Sequence, residues 1–294
     1  MLQREFNLPF DISQYQNILV LGVGGGFDVV SALPIYLSLL LDNKNVALGS
    51  TNHVHLKSFY EGLGKEVYQG VLCIEPQESI NGIVIESQLA NRLHTNIYSF
   101  KKLGVLPLRR AIRYICDQHA IDLIIAVDGG VDALMTCKEK VQGTPIEDIA
   151  TITAISGTTG VDKVLCCVGM GAEIDEGLTA EAIAPNVLEL FEDGFLGVSA
   201  WVGDNEIIET TIDIYGELNK PRESHIITEI IKARVGFHNK KIKIPQVLPI
   251  CWFFDLDKVV KKNILSPKIK DTFSFNEIVW THTNMMAEKG DKDE

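Results

Sequence analysis

Hydrophobic residues in this chain form short continuous runs that end in glycine-rich loops and are followed by helical patterns. The clearest runs cover residues 17–21, 121–128 and 163–168. Continuous apolar runs of this length are typical of parallel strands that are buried on both faces of a sheet. Because a loop and a helical pattern follow each run, the order predicts an α/β protein with a mostly parallel sheet. We expect these three strands to be parallel neighbours, with their loops at one edge of the sheet.

The same patterns predict the other elements. Helices are expected at residues 29–41, 90–103, 106–119, 148–156, 179–190 and 224–233. Further strands are expected at residues 45–48, 70–75, 82–86, 207–215, 241–244 and 248–254, the second and third being either short strands or parts of a hairpin. The pattern changes near residue 200, and we expect the part beyond it to add edge strands or a cap. Since no linker separates this part, residues 1–294 are predicted to form a single α/β domain.

Composition and charge exclude several classes of protein. The formal net charge is −12, whereas a protein that binds nucleic acid needs stripes of lysine and arginine, so we expect no nucleic-acid partner. No apolar stretch is long enough to span a bilayer, and the N-terminus lacks the pattern of a signal peptide. The six cysteines form no C-x-x-C pair and are expected to be buried free thiols. These features predict a cytoplasmic protein without a membrane segment.

The first long run is followed by a glycine-rich loop, residues 22–28. The backbone N–H groups of Gly24, Gly25 and Gly26 can approach an anion closely, and the N-terminus of the next helix favours negative charge. The loop lacks the third glycine of a dinucleotide fingerprint and the Gly-Lys-Ser/Thr of a P-loop. Two interpretations stay open: a tight turn with Asp28 as the helix N-cap, or a site for phosphate or metal.

Two further loops carry carboxylates after predicted strands. Asp128 and Asp132 bracket two glycines, a spacing that lets both side chains share a hard divalent ion. In the alternative interpretation, Asp132 caps the next helix and Asp128 accepts hydrogen bonds from loop amides. The third loop, residues 169–177, contains Glu173 and Asp175 among its glycines. Three acidic, glycine-rich loops at one sheet edge favour a binding site, because ligands of open α/β sheets bind there.

These loops resemble the motifs of the family called domain of unknown function 1152. Its first motif is a glycine run followed by Asp-Val-Val, as at residues 24–30. Its second motif has Asp, two glycines, Asp, a later Glu and then Ser-Pro-x-x-Asp. Asp128, Asp132, Glu139 and residues 144–148, which end in Asp148, follow that spacing. The chain departs from the family's usual glycines at residues 27, 131 and 137.

The resemblance implies a three-layer α/β fold with an acidic metal-binding pocket and a phosphatase-like activity. We therefore expect a hydrolase that uses Mg²⁺ or Mn²⁺ and acts on a small phosphorylated metabolite. The expected metal ligands are Asp28, Asp128, Asp132, Glu173 and Asp175, the phosphate ligands Gly24, Gly25 and Gly26, and the catalytic residues Asp148 and Glu139. The alternatives are a metal-dependent lyase or cyclase on a small carboxylate substrate, and a non-catalytic nucleotide or metabolite sensor. Whether the chain forms a homo-oligomer stays open.

Overall fold

The computed structural model describes residues 6–25, 27–51, 63–77, 84–139, 145–202, 205–220, 224–237 and 239–290. Within these residues the centre of the fold is a nine-stranded sheet. Its strands are β1 (Asn17–Gly22), β2 (Asn45–Thr51), β3 (Lys65–Tyr68), β4 (Val71–Ile74), β5 (Ile97–Phe100), β6 (Leu123–Asp128), β7 (Asp162–Cys167), β8 (Phe195–Ala200) and β9 (Ile250–Asp255). All six cysteines are free and buried, as the sequence predicts.

The sheet is mostly parallel, as the sequence predicts. Its strand order is β3-β4-β5-β2-β1-β6-β7-β9-β8. The five inner strands, from β5 to β7, are parallel to one another. Antiparallel pairing adds the β3-β4 hairpin at one edge and β9 with β8 at the other. The strand that the part beyond residue 200 contributes is β9, which lies between β7 and the edge strand β8 and is therefore not itself an edge strand.

The helices lie in two layers, one on each face of the sheet. They are α1 (Asp28–Ser31), α2 (Leu33–Leu41), α3 (Ile85–Leu93), α4 (Val105–Gln118), α5 (Ile146–Ser156), α6 (Ala180–Phe191), α7 (Glu206–Glu217), α8 (His225–Arg234), α9 (Leu256–Lys262), α10 (Ser266–Ile269) and α11 (Phe275–Gly290). No helix in the described ranges is long and apolar enough to cross a membrane.

Alternation along the strands builds a separate hydrophobic core on each face. In β1, Leu19 and Leu21 join the core that α4, α5 and α6 cover, whereas Ile18 and Val20 join the core under α1, α2 and α7. Side chains of a strand point to opposite faces in turn, so one apolar run supplies both cores. Two cores around one sheet give the three-layer α/β sandwich that the family resemblance implies.

Four predicted elements are wrong. Residues 207–215 form part of helix α7, because their buried positions Ile208, Thr211 and Ile214 recur at helical spacing despite their β-branched side chains. Residues 241–244 contain no strand. The helix predicted at residues 90–103 ends at Leu93 and is followed by β5. Of the strand predicted at residues 82–86, positions 82 and 83 lie outside the described residues, and the rest begins helix α3.

Candidate functional site

The three glycine-rich loops lie at one edge of the sheet, as predicted from the apolar runs. β1, β6 and β7 are adjacent parallel strands, with Gly22 opposite Val127 and Asp128 opposite Cys167. After β1 the chain continues to β2, which lies on one side of β1 in the sheet, whereas β6 and β7 lie on the other side of β1. The carboxyl ends of β1 and β6 therefore form a topological switch point, which is where open α/β sheets bind their ligands.

Five acidic side chains gather at this switch point. We call them the carboxylate cluster: Asp28, Asp128, Asp132, Asp148 and Glu173. Glycines make the close approach possible, since a Cβ on Gly24 would collide with the carboxylates of Asp148 and Asp28. A Cβ on Gly130 would lie 2.8 Å from both carboxylate oxygens of Glu173. The glycines of the first two loops are therefore required by the carboxylates that pack against them.

Asp28 joins the first loop to the second. Its Oδ2 accepts hydrogen bonds from the backbone N–H groups of Gly24 and Gly25, the latter at 2.9 Å. Its Oδ1 accepts a third from Gly129 N at 3.1 Å. The N-cap of α1 is Phe27, so the interpretation of Asp28 as that N-cap is wrong. The amides expected to bind phosphate already donate to a carboxylate of the chain, and Gly26 lies outside the described residues.

Asp128 ends β6 and is 3% exposed. Its Oδ2 accepts a hydrogen bond from Ala133 N at 2.9 Å and lies 3.9 Å from the Sγ of Cys167. Burial raises the pKa of Asp128 well above its usual range, and the negative charges of Asp28 and Asp132 raise it further. The bond from Ala133 bears out the interpretation that Asp128 accepts a loop amide. A cation nearby would favour the charged form of this carboxylate.

Asp148 lies in the first turn of α5 and is 6% exposed. It accepts no hydrogen bond and makes no ion pair with any residue in the described part of the chain. Burial raises its pKa well above the usual range, and the nearby charges of Asp128, Asp132, Asp28 and Glu173 add to the shift. A cation close to this carboxylate would favour its charged form.

Asp132 and Glu173 complete the cluster from the second and third loops. Asp132 is 4% exposed and begins a short 3-10 helix, Asp132–Leu134, whose N-cap is Val131 and not Asp132 as the alternative interpretation proposed. Glu173 accepts a hydrogen bond from Val131 N at 2.9 Å. Glu173 thereby connects the loop after β7 with the loop after β6.

Two of the predicted site residues are not brought to the cluster. Asp175 is 59% exposed and forms an ion pair with Lys241 at 2.6 Å. Glu139 accepts hydrogen bonds from Thr136 and from Asn186 Nδ2, the latter at 2.6 Å. Burial alone would raise the pKa of Glu139, but these hydrogen bonds hold the pKa below its usual range. Through these hydrogen bonds Glu139 ties the second loop to α6.

The cluster fits a hard divalent cation by the chemistry of its donors. All five side chains offer carboxylate oxygens, the ligand type that Mg²⁺ and Mn²⁺ prefer. Within the described residues, no three histidine, cysteine, aspartate or glutamate side chains converge on one point as the ligands of a bound ion do.

The structure contains a cleft beside the cluster that the sequence does not predict. It is lined by Gly24 and Thr51 after the central strands, by Lys102 after β5, and by Glu147 of α5. The sequence hides this cleft because residues 90–103 have a helical pattern that obscures the four-residue strand β5. One feature of the sequence could have revealed the cleft: a short apolar segment precedes two lysines and a glycine. This pattern is typical of a strand that ends in a basic loop.

Comparison with known proteins relates the chain to one family. No curated protein matches the chain. The model of the family described as protein of unknown function, DUF1152, matches residues 65–287, which include four of the five cluster residues. Because this match covers most of the sequence, the chain belongs to the DUF1152 family.

Proposed function

We propose that this chain is a divalent-metal-dependent hydrolase with phosphatase-like activity on a small phosphorylated metabolite. The observation that carries the proposal is Asp148, a buried carboxylate that faces other carboxylates and accepts no hydrogen bond from the described residues. Burying such a group is unfavourable, and folds retain it where a cation or a substrate compensates its charge. Its position at the switch point supports a catalytic rather than a structural role.

The residues of the cluster differ in the role we assign to them. Asp128, Asp132 and Glu173 would hold Mg²⁺ or Mn²⁺ with carboxylate oxygens. When bound, such an ion polarises a phosphoryl group and lowers the pKa of water. Asp28 positions the first two loops through its three amide hydrogen bonds, so it acts indirectly. The cluster thus separates residues that bind the ion from one that holds the loops.

Asp148 would act as the general base. Since no described residue donates a hydrogen bond to its carboxylate, Asp148 can accept a proton from the attacking water. The water oxygen then bonds to phosphorus while the ester P–O bond breaks and the leaving oxygen takes a proton. A sensor would need no such proton acceptor, which supports a hydrolase over the non-catalytic alternative.

Release of inorganic phosphate tests the proposal. The wild type is screened with p-nitrophenyl phosphate and small phosphorylated metabolites, with Mn²⁺ or Mg²⁺ and after chelation. We expect metal-dependent turnover that falls by about a hundredfold or more in Asp148→Asn, the size of a lost general base. Asp175→Asn is the matched control, since it removes an exposed carboxylate of the neighbouring loop. Equal turnover in wild type and Asp148→Asn, or turnover that survives chelation, would contradict the proposal.

A further inference from the structure

The cleft beside the carboxylate cluster shares a wall with it. Gly24 lines the cleft, and Gly24 also packs against the carboxylate of Asp148. The remaining lining is apolar at Val23, Leu103 and Phe275 and basic at Lys101 and Lys102. Because β5 is parallel to β2 and β1, the loop that carries Lys102 lies at the same sheet edge as the acidic loops. A small molecule in this cleft would lie next to Asp148.

Lys102 is the basic group held inside this cleft. Its side chain is only 16% exposed, its Nζ lies 4.3 Å from the centre of the Phe275 ring, and it forms an ion pair with Glu147. The neighbouring Lys101 is instead 41% exposed and pairs with Glu66 at 2.9 Å. Burial and the aromatic ring hold the Lys102 ammonium in one place, whereas Lys101 remains in solvent.

Two consecutive residues of α5 place Lys102 beside the carboxylate cluster. Glu147 faces Lys102, and Asp148 faces the cluster. Around five carboxylates, an anionic substrate needs a nearby positive charge besides any metal ion. The amides of Gly24 and Gly25 are already engaged by Asp28, so these two amides do not supply that attraction. Lys102 is the buried cation that lines the shared cleft.

We propose that Lys102 binds the phosphoryl group of the substrate and gives up its ion pair with Glu147 when it does so. This inference rests on the proposed function for the identity of the anion as a phosphoryl group. It assigns the anion-binding role to Lys102 in place of the glycine loop. Because the cleft is small and largely apolar, the phosphoryl group would take the place of the Glu147 carboxylate at Lys102. The substrate class is therefore a phosphomonoester whose phosphoryl group reaches Lys102 on one side and the carboxylate cluster on the other.

Titration with inorganic phosphate, followed by calorimetry with and without Mn²⁺, tests the inference. We expect Lys102→Gln to weaken phosphate binding by about tenfold or more, since it removes a charged hydrogen-bond donor. Lys101→Gln removes the more exposed lysine of the same lining and should weaken phosphate binding less than Lys102→Gln does. Glu147→Gln should bind phosphate more tightly than the wild type, because Lys102 is freed from its ion pair. A gain in affinity cannot result from loss of folding.

The outcomes separate this inference from the proposed function. If the wild type binds Mn²⁺ but Lys102→Gln binds phosphate like the wild type, the Lys102 inference is wrong and the proposed function stands. If phosphate binding depends on Lys102 but no divalent cation binds, the proposed function fails and Lys102 keeps its assigned role. Tighter binding of acetate than of phosphate would overturn the assignment of a phosphoryl group. Unchanged affinity in Glu147→Gln would also count against the inference.

Discussion

In the structure Asp28 holds two loops together through its carboxylate, and Asp28→Asn tests this role. Both carboxylate oxygens are used: Oδ2 accepts from Gly24 and Gly25, and Oδ1 accepts from Gly129. An asparagine has only one acceptor oxygen and presents an NH₂ group to the remaining amides. At least one hydrogen bond to a charged acceptor is therefore lost, and a buried N–H is left facing another donor.

The expected magnitude follows from these bonds. Each hydrogen bond to a charged group contributes about 1.5–3 kcal/mol, and relief of repulsion between Asp28 and Asp128 offsets part of the loss. We expect Asp28→Asn to lower the free energy of unfolding by about 2 kcal/mol without metal. Asp148→Asn is the control, because that side chain accepts no hydrogen bond from the described residues and its substitution should leave stability equal or higher.

Urea unfolding at neutral pH in the presence of a chelator measures both effects. The slope of the unfolding free energy against denaturant should be the same in the three proteins, so that the midpoints report stability alone. Wild-type stability in Asp28→Asn would refute the role assigned to Asp28. A large loss of stability in Asp148→Asn would show that Asp148 has a structural partner that this reasoning lacks.

Two other predictions follow from the cluster. The pKa values of Asp128 and Asp148 are raised in the folded protein. Metal-free protein should therefore lose stability as the pH rises from the ordinary pKa values of these groups through the raised ones. For the same reason, cation binding should release protons. Calorimetry in buffers of different ionisation enthalpy measures that release, and an identical heat in every buffer would contradict it. Gly130→Ala should displace Glu173 and weaken divalent binding by about tenfold, the usual effect of disturbing the support of a metal ligand. Gly216→Ala is the control and should leave divalent binding unchanged, because its added Cβ meets no atom within 4 Å. Equal Mn²⁺ affinity in the two alanine variants would be evidence against Glu173 as a ligand.

Much of the site is visible in the sequence because strand order and loop composition are local signals. Continuous apolar runs predict which strands are buried and parallel, and parallel strands bring their C-terminal loops to one edge. Asp128 and Asp132 are found in this way, whereas Asp148 is found through the family resemblance, and the charges of the three act on one another in the structure. The partner of Asp28 across the sheet, Gly129, is 101 residues away and depends on tertiary structure alone.

The remaining errors also have physical reasons. The third loop contains several acids, and a 3-10 helix, Ile174–Glu176, begins directly after Glu173. Glu173 therefore stays against the second loop while Asp175 is exposed to solvent, a distinction that composition does not reveal. Helix α7 is rich in isoleucine and threonine, whose preference for strands is overridden by burial at helical spacing.

Direct measurement of Mn²⁺ binding tests the central claim, that the carboxylate cluster is a divalent-cation site. Isothermal titration of the wild type near neutral pH should give saturable binding, which Asp128→Asn should abolish without lowering thermal stability in the absence of metal. Asp175→Asn should bind as the wild type does, because Asp175 is exposed and pairs with Lys241. Absence of Mn²⁺ and Mg²⁺ binding by folded wild-type protein, or unchanged affinity in Asp128→Asn, would contradict the account.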